Sequence, residues 1–200
     1  MSFHRAGRHL RRCGLLAACW LAGTAAAQAI DSRVEALLQR MTLAEKVGQL
    51  TQYSGDWRAT GPVTFKGSHE ALIQAGEVGS MLNVLGTECT RAYQEVAMRS
   101  RLKIPLLFGQ DVIHGYKTTF PIPLAEAASF DLAAIERSAR IAATEAAASG
   151  IHWTFAPMVD VARDPRWGRV MEGAGEDTYL ASKIAYARVK GFQGRQLGDL

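Results

Sequence analysis

Two stretches of the sequence gather side chains able to hold a charged or hydroxyl-rich ligand. In "GQDVIHG" (109–115) an apolar run, Ile104 to Phe108, leads directly into Gly109, Asp111 and His114. In "VDVARDPRWGRVMEGAGEDTYL" (159–180), Asp160, Asp164, Glu172, Glu176 and Asp177 are interleaved with Arg163, Arg166 and Arg169 around Trp167. An ionised carboxylate such as Asp111 can accept from two ligand hydroxyls, each bond contributing about 1.5–3 kcal/mol. It can equally cap a helix or fix its own loop. His114, three residues on, reads as structural. Most charges of the second stretch read as a mutually neutralising loop network, within which the fork of one guanidinium can hold a carboxylate and a hydroxyl together. Trp167 can brace that loop or stack on a ligand. "GAGED" lacks the third glycine and the strand-to-helix placement of a dinucleotide site. "SHEA" is not a zinc motif, because Ile73 stands where the second histidine would be. Neither Asp111 nor His114 makes a metal site with anything nearby.

These side chains need elements to position them. "SRVEALLQRM" has helical spacing, and Thr42 with Glu45 forms a capping box for a second helix. "SHEALIQAG" reads as a helix capped by Ser68 and closed by Gly76. "VGSMLNVL" (78–85), "IPLLFGQD" (104–111) and "HWTFAPMVDV" (152–161) read as buried strands. "TECTRAYQEVAMRSRL" is a helix between the first two. Asp131 caps a long helix with Leu132, Ile135, Ala139, Ala142 and Ala146 on one face, and Asp177 or Thr178 opens a last helix. Alternating strands and helices predict right-handed βαβ units on a parallel sheet, three or four of them. That is half of an eight-unit barrel or a small open sheet, and the pattern does not choose. In either, ligands sit beyond the carboxyl ends of the strands, where both polar clusters fall.

Composition is that of a globular protein, 48% hydrophobic and 21% charged. The net charge of +4 comes from the N-terminus, where Arg5, Arg8, Arg11 and Arg12 stand without an acid. Without those four the charge is zero, so basicity implies no nucleic-acid partner. "MSFHRAGRHLRR" followed by "CGLLAACWLAGTAAAQA" is the pattern of a secretory signal peptide over 1–29, cleaved after Ala29, and its apolar part is too short for a membrane span. A lipoprotein signal ending at Cys19 is the competing expectation. It fits less well, since Trp20-Leu21-Ala22 continues the apolar run. Cleavage removes Cys13 and Cys19 and leaves Cys89 as a packed or partly exposed thiol without a disulfide.

The chain resembles glycoside hydrolase family 3, in particular its exported β-glucosidase branch. The resemblance is carried by "MTLAEKVGQL", "GEVGSMLNV", "SRLKIPLLFGQDVIHGYKTTFPIPLAEAASFD" and "FAPMVDVARDPRWGRVMEGAGEDTYL". The β-N-acetylhexosaminidase branch typically has a D-Q-E-G-G-type motif where this chain has "GQDVIHG". The resemblance implies that residues 30–200 are the N-terminal, truncated part of a (β/α)8-type barrel. It implies exo-hydrolysis of terminal β-linked glucose with retention, small β-glucosides or cello-oligosaccharides as substrates, a periplasmic location and no cofactor. It assigns sugar contacts to Asp111 and Arg169. It places a sugar-binding lysine–histidine pair, the nucleophilic aspartate of an S-D-[WH] motif and the acid/base beyond Leu200, leaving no catalytic carboxyl group in this chain. Asp56-Trp57 superficially matches that motif but lies too early and follows Gly55, and reads as loop. A non-catalytic sugar-binding module and an inactive gene remnant are the alternatives.

Overall fold

The computed structural model describes residues 32–55 and 67–194, which fall into two units divided between Lys46 and Val47. In the first unit residues 32–40 form helix α1. Thr42 then opens α2 (Leu43–Gln49) with the expected capping box. The Thr42 amide donates to Glu45 Oε2 at 2.8 Å and the Glu45 amide to Thr42 Oγ1 at 3.2 Å.

The second unit is built on four short parallel strands, β1 (Gln52–Ser54), β2 (Ser80–Leu82), β3 (Leu107–Gln110) and β4 (Trp153–Thr154), lying side by side in chain order. The crossovers are α3 (His69–Ala75), α4 (Thr87–Ala97), then α5 (Pro123–Ala128) with α6 (Leu132–Ala148). Helix α7 (Thr178–Gln193) follows β4. Four β/α units without a reversal of strand order are the arrangement of a barrel segment; doubly wound sheets reverse their order at a switch point. Among the described residues no helix is long and apolar enough to cross a membrane.

Period-two alternation gives the sheet two faces. Met81 and Phe108 are buried against the helices with Ile73, Tyr93, Val96, Ala142 and Phe192, and Tyr53 packs on the same cluster. Each large side chain so buried contributes roughly 1.5–3 kcal/mol. Across the other face Gln52 Nε2 donates to Ser80 Oγ at 3.2 Å, while Leu107 and Trp153 are half exposed. Helices α6 and α7 approach closely at Gly191. At Gly191 a β-carbon would stand 2.5 Å from the Glu136 carbonyl oxygen and 2.6 Å from Ala139 Cβ, so only glycine permits the approach. Lys190 pairs with Glu136 at 2.9 Å beside it.

The expected caps are present: Ser68 accepts from the Ala71 amide, Asp131 from Ala134 and Asp177 from Leu180, and Gly76 closes α3 in the left-handed conformation. The strands are shorter than the apolar runs predict. β2 ends where Asn83 turns to a φ of 60°, which no strand residue adopts. β4 stops short of Pro157, which has no amide hydrogen to offer a ladder. Leu132 is 37% exposed, so the buried face of α6 begins at Ile135 and includes Ala143. Cys89 is a partly buried free thiol against the core.

Candidate functional site

Both polar clusters follow the carboxyl ends of neighbouring strands. Asp111 is the first residue after β3, and its side chain is exposed. The loop behind it is tied at nearly every residue. Val112 is buried in the core and its amide donates to Thr154 Oγ1 at 3.4 Å, binding the loop to β4. The Ile113 carbonyl accepts from the Arg188 guanidinium. His114 Nδ1 lies 3.1 Å from the Phe120 carbonyl oxygen. A carbonyl only accepts, so Nδ1 carries the proton, and His114 fixes the loop as its sequence position implied. Gly115 has a φ of 111° and bridges to Thr119, and a β-carbon there would meet the Thr118 carbonyl oxygen at 1.9 Å. Glu145 of α6 closes the hairpin, accepting from the Lys117 and Thr118 amides at 2.8 Å each and from Thr118 Oγ1 at 2.6 Å. Those bonds, Thr118 Oγ1 first, hold the Glu145 carboxyl below its ordinary range.

The stretch after β4 sorts its charges into pairs. Arg166 lies side-on to Asp164 through Nε at 2.9 Å and Nη2 at 2.5 Å, and the Arg166 amide also donates to Asp164. These bonds hold the Asp164 carboxyl below its usual range. Both side chains are largely exposed, so the pair shapes the loop more than it stabilises the fold. Arg169 opens a single 3₁₀ turn, Val170–Glu172, and lies side-on to Glu172 through Nε at 3.0 Å and Nη2 at 2.6 Å. Glu172 raises the Arg169 pKa, with smaller contributions from Asp111 and Asp160, and Arg169 in turn depresses that of Glu172. Asp111 and Arg169 therefore lie within electrostatic reach of each other although 58 positions separate them in sequence. The Ala162 amide donates to the Gly175 carbonyl at 3.1 Å, folding "GAG" back onto the strand exit, and Gly175 has a φ of 95°.

Asp164 and Glu172 thus pair with Arg166 and Arg169, and Asp111 adds to the charge environment of Arg169. Glu145 and Arg188 were not legible as parts of this site. They sit on helices and reach the loop only through tertiary packing, with no local signal to mark them. Asp56, Trp57, Cys19 and the whole of 1–29 lie outside the described residues.

An α/β barrel segment whose strand ends present a carboxylate and a guanidinium is the class of site defined here. The family model described as "Glycosyl hydrolase family 3 N terminal domain" matches residues 42–198, and the chain belongs to glycoside hydrolase family 3. It is 46% identical over 173 residues to the periplasmic beta-glucosidase of Salmonella typhimurium, covering 86% of this chain and 22% of that protein. It superposes on a beta-glucosidase from Listeria innocua, solved in complex with isofagomine, with a TM-score of 0.75 at 44% identity, over 82% of this chain and 23% of the other. A family 3 beta-N-acetylglucosaminidase from Paenibacillus matches with a TM-score of 0.62 at 25% identity, over 76% of this chain and 31% of the other. The chain spans less than a third of the length of any of these relatives.

Proposed function

We propose that the protein to which this chain belongs is an exported, retaining β-glucosidase, and that this chain contributes part of its glucose site through Asp111 and Arg169. The observation carrying the assignment is their convergence at the strand ends. Arg169 is oriented by Glu172 through Nε and Nη2, which leaves Nη1 outside that pair, and it feels the charge of Asp111. A carboxylate that accepts from hydroxyls beside a guanidinium that donates to them is a complementary grip on one sugar ring. The relatives named as β-glucosidases, one solved with isofagomine bound, support glucosides as substrates. The basic and apolar N-terminus, with the periplasmic designation of the Salmonella relative, supports export by a signal peptide over residues 1–29.

Retention requires two carboxyl groups about 5–5.5 Å apart. One attacks the anomeric carbon while the other protonates the departing glycosidic oxygen. Water, deprotonated by the second group, then cleaves the glycosyl-enzyme and restores both. We assign neither role to an acid of this chain. Asp111 and Arg169 bind the ring, and contacts that tighten as charge develops at the anomeric carbon lower the barrier.

The test is the rate of p-nitrophenyl β-D-glucopyranoside hydrolysis by the full-length enzyme. Asp111→Asn is expected to cost about 2–4 kcal/mol of transition-state stabilisation, roughly 30- to 1,000-fold in kcat/KM, with the circular dichroism unchanged. Arg169→Lys should also be damaging, because an ammonium cannot serve Glu172 side-on and a hydroxyl at once. A near-wild-type rate for Asp111→Asn overturns the assignment. Binding of cellobiose without release of glucose by the unmodified protein would instead identify a sugar-binding module.

A further inference from the structure

The loop that presents Asp111 is held from beneath by a buried ion pair that the sugar site itself does not use. Arg188 of α7 and Glu126 of α5 are 5% and 8% exposed, and Arg188 Nη1 donates to Glu126 Oε2 at 2.9 Å. The other oxygen of Glu126 accepts from Ser138 Oγ of α6 at 2.7 Å. Arg188 Nη2 donates to the carbonyl of Ile113, two residues after Asp111 and 75 positions before Arg188 in sequence. Three helices and the loop therefore meet in one chain of bonds: Ser138 orients Glu126, Glu126 orients Arg188, and Arg188 grips the loop backbone.

Stability alone is a poor account of this arrangement. Taking two charges out of water costs several kcal/mol per ion, and a well-packed apolar pair of like volume is often as stable or more so. Burial disfavours the charge on Arg188, and Glu126 opposes that effect. What an apolar pair does not supply is a donor to the Ile113 carbonyl.

We propose that Arg188, oriented by Glu126, is a positioning residue that sets the placement of Asp111 for sugar binding. This rests on the assignment of Asp111 as a sugar contact. A displacement of that carboxylate by about 1 Å is enough to cost up to a hundredfold in rate.

The experiment uses the full-length enzyme and p-nitrophenyl β-D-glucopyranoside, with Arg188→Lys and the double replacement Arg188→Met/Glu126→Leu each made in the wild-type and Asp111→Asn backgrounds. Lysine keeps the charge but lacks the second prong, whereas the apolar pair preserves packing without the donor. Each is expected to lower kcat/KM about tenfold or more in the wild-type background and no more than about twofold beside Asp111→Asn, because the effect passes through Asp111. Equal losses in both backgrounds, or a lower melting temperature with unchanged kinetics, would show a purely structural pair and overturn the proposal. Failure of both replacements to fold would do the same. If Asp111→Asn itself retains the wild-type rate, the sugar assignment fails first and the positioning role falls with it.

Discussion

Arg169 and Glu145 show how the same charge chemistry orders two loops at single residues. Arg169 uses two nitrogens of its fork on Glu172, and Asp111 and Asp160 add smaller favourable charge to it. At Glu145 three bonds from Lys117 and Thr118 converge on the carboxylate and close the loop that carries Asp111. Because the folded state lowers its pKa, the clamp is at full strength above the ordinary value of 4.5 and is lost as pH falls through the lower folded value. Hydrogen exchange at residues 115–120, corrected for intrinsic rates, should accelerate as pH falls below about 4.5, and Glu145→Gln should abolish that step. A step that persists in Glu145→Gln would assign the acid sensitivity elsewhere.

At the scale of elements, helix α7 meets α6 through a close approach at Gly191 as well as through Ile184 and Ile135, which share one buried cluster. Gly191→Val would drive two methyl groups toward the Glu136 carbonyl and Ala139, where even a single β-carbon has no room. Denaturant unfolding should show a destabilisation of about 1–3 kcal/mol, and an unchanged midpoint would mean that the helices part without cost. Helix starts were legible in the sequence because Thr42, Ser68, Asp131 and Asp177 satisfy amides within their own first turn. β1 was not, since Gln52-Tyr53-Ser54 is too polar to read as a buried strand and its glutamine faces Ser80 across the sheet. α5 was missed because Pro123 opens it without a side-chain cap and it is only six residues long. Strand ends were overextended because apolar runs continue past the residues that stop pairing. The place of Asp111 directly after β3 was legible from the apolar run before it. Arg188 was not, because its partners lie 62 and 75 positions away.

At the scale of the whole molecule, the four parallel strands form one arc of a barrel segment. The chain spans 22% of the Salmonella relative and 23% of the Listeria structure it superposes on. Leu107, Trp153 and Phe155 remain half exposed on the sheet face away from the helices, as the inner face of an incomplete barrel would leave them. In the proposed reading Asp111 and Arg169 hold the substrate, and no acid of this chain is given a bond-breaking role. The most direct test is therefore kcat/KM of the full-length enzyme and its Asp111→Asn variant across p-nitrophenyl β-D-glucosides that each lack one ring hydroxyl. The variant's deficit should shrink to about twofold or less on the deoxy substrate missing a hydroxyl that Asp111 holds, and persist where an unrelated hydroxyl is missing. An equal deficit on every member of the series would contradict a direct grip on the sugar.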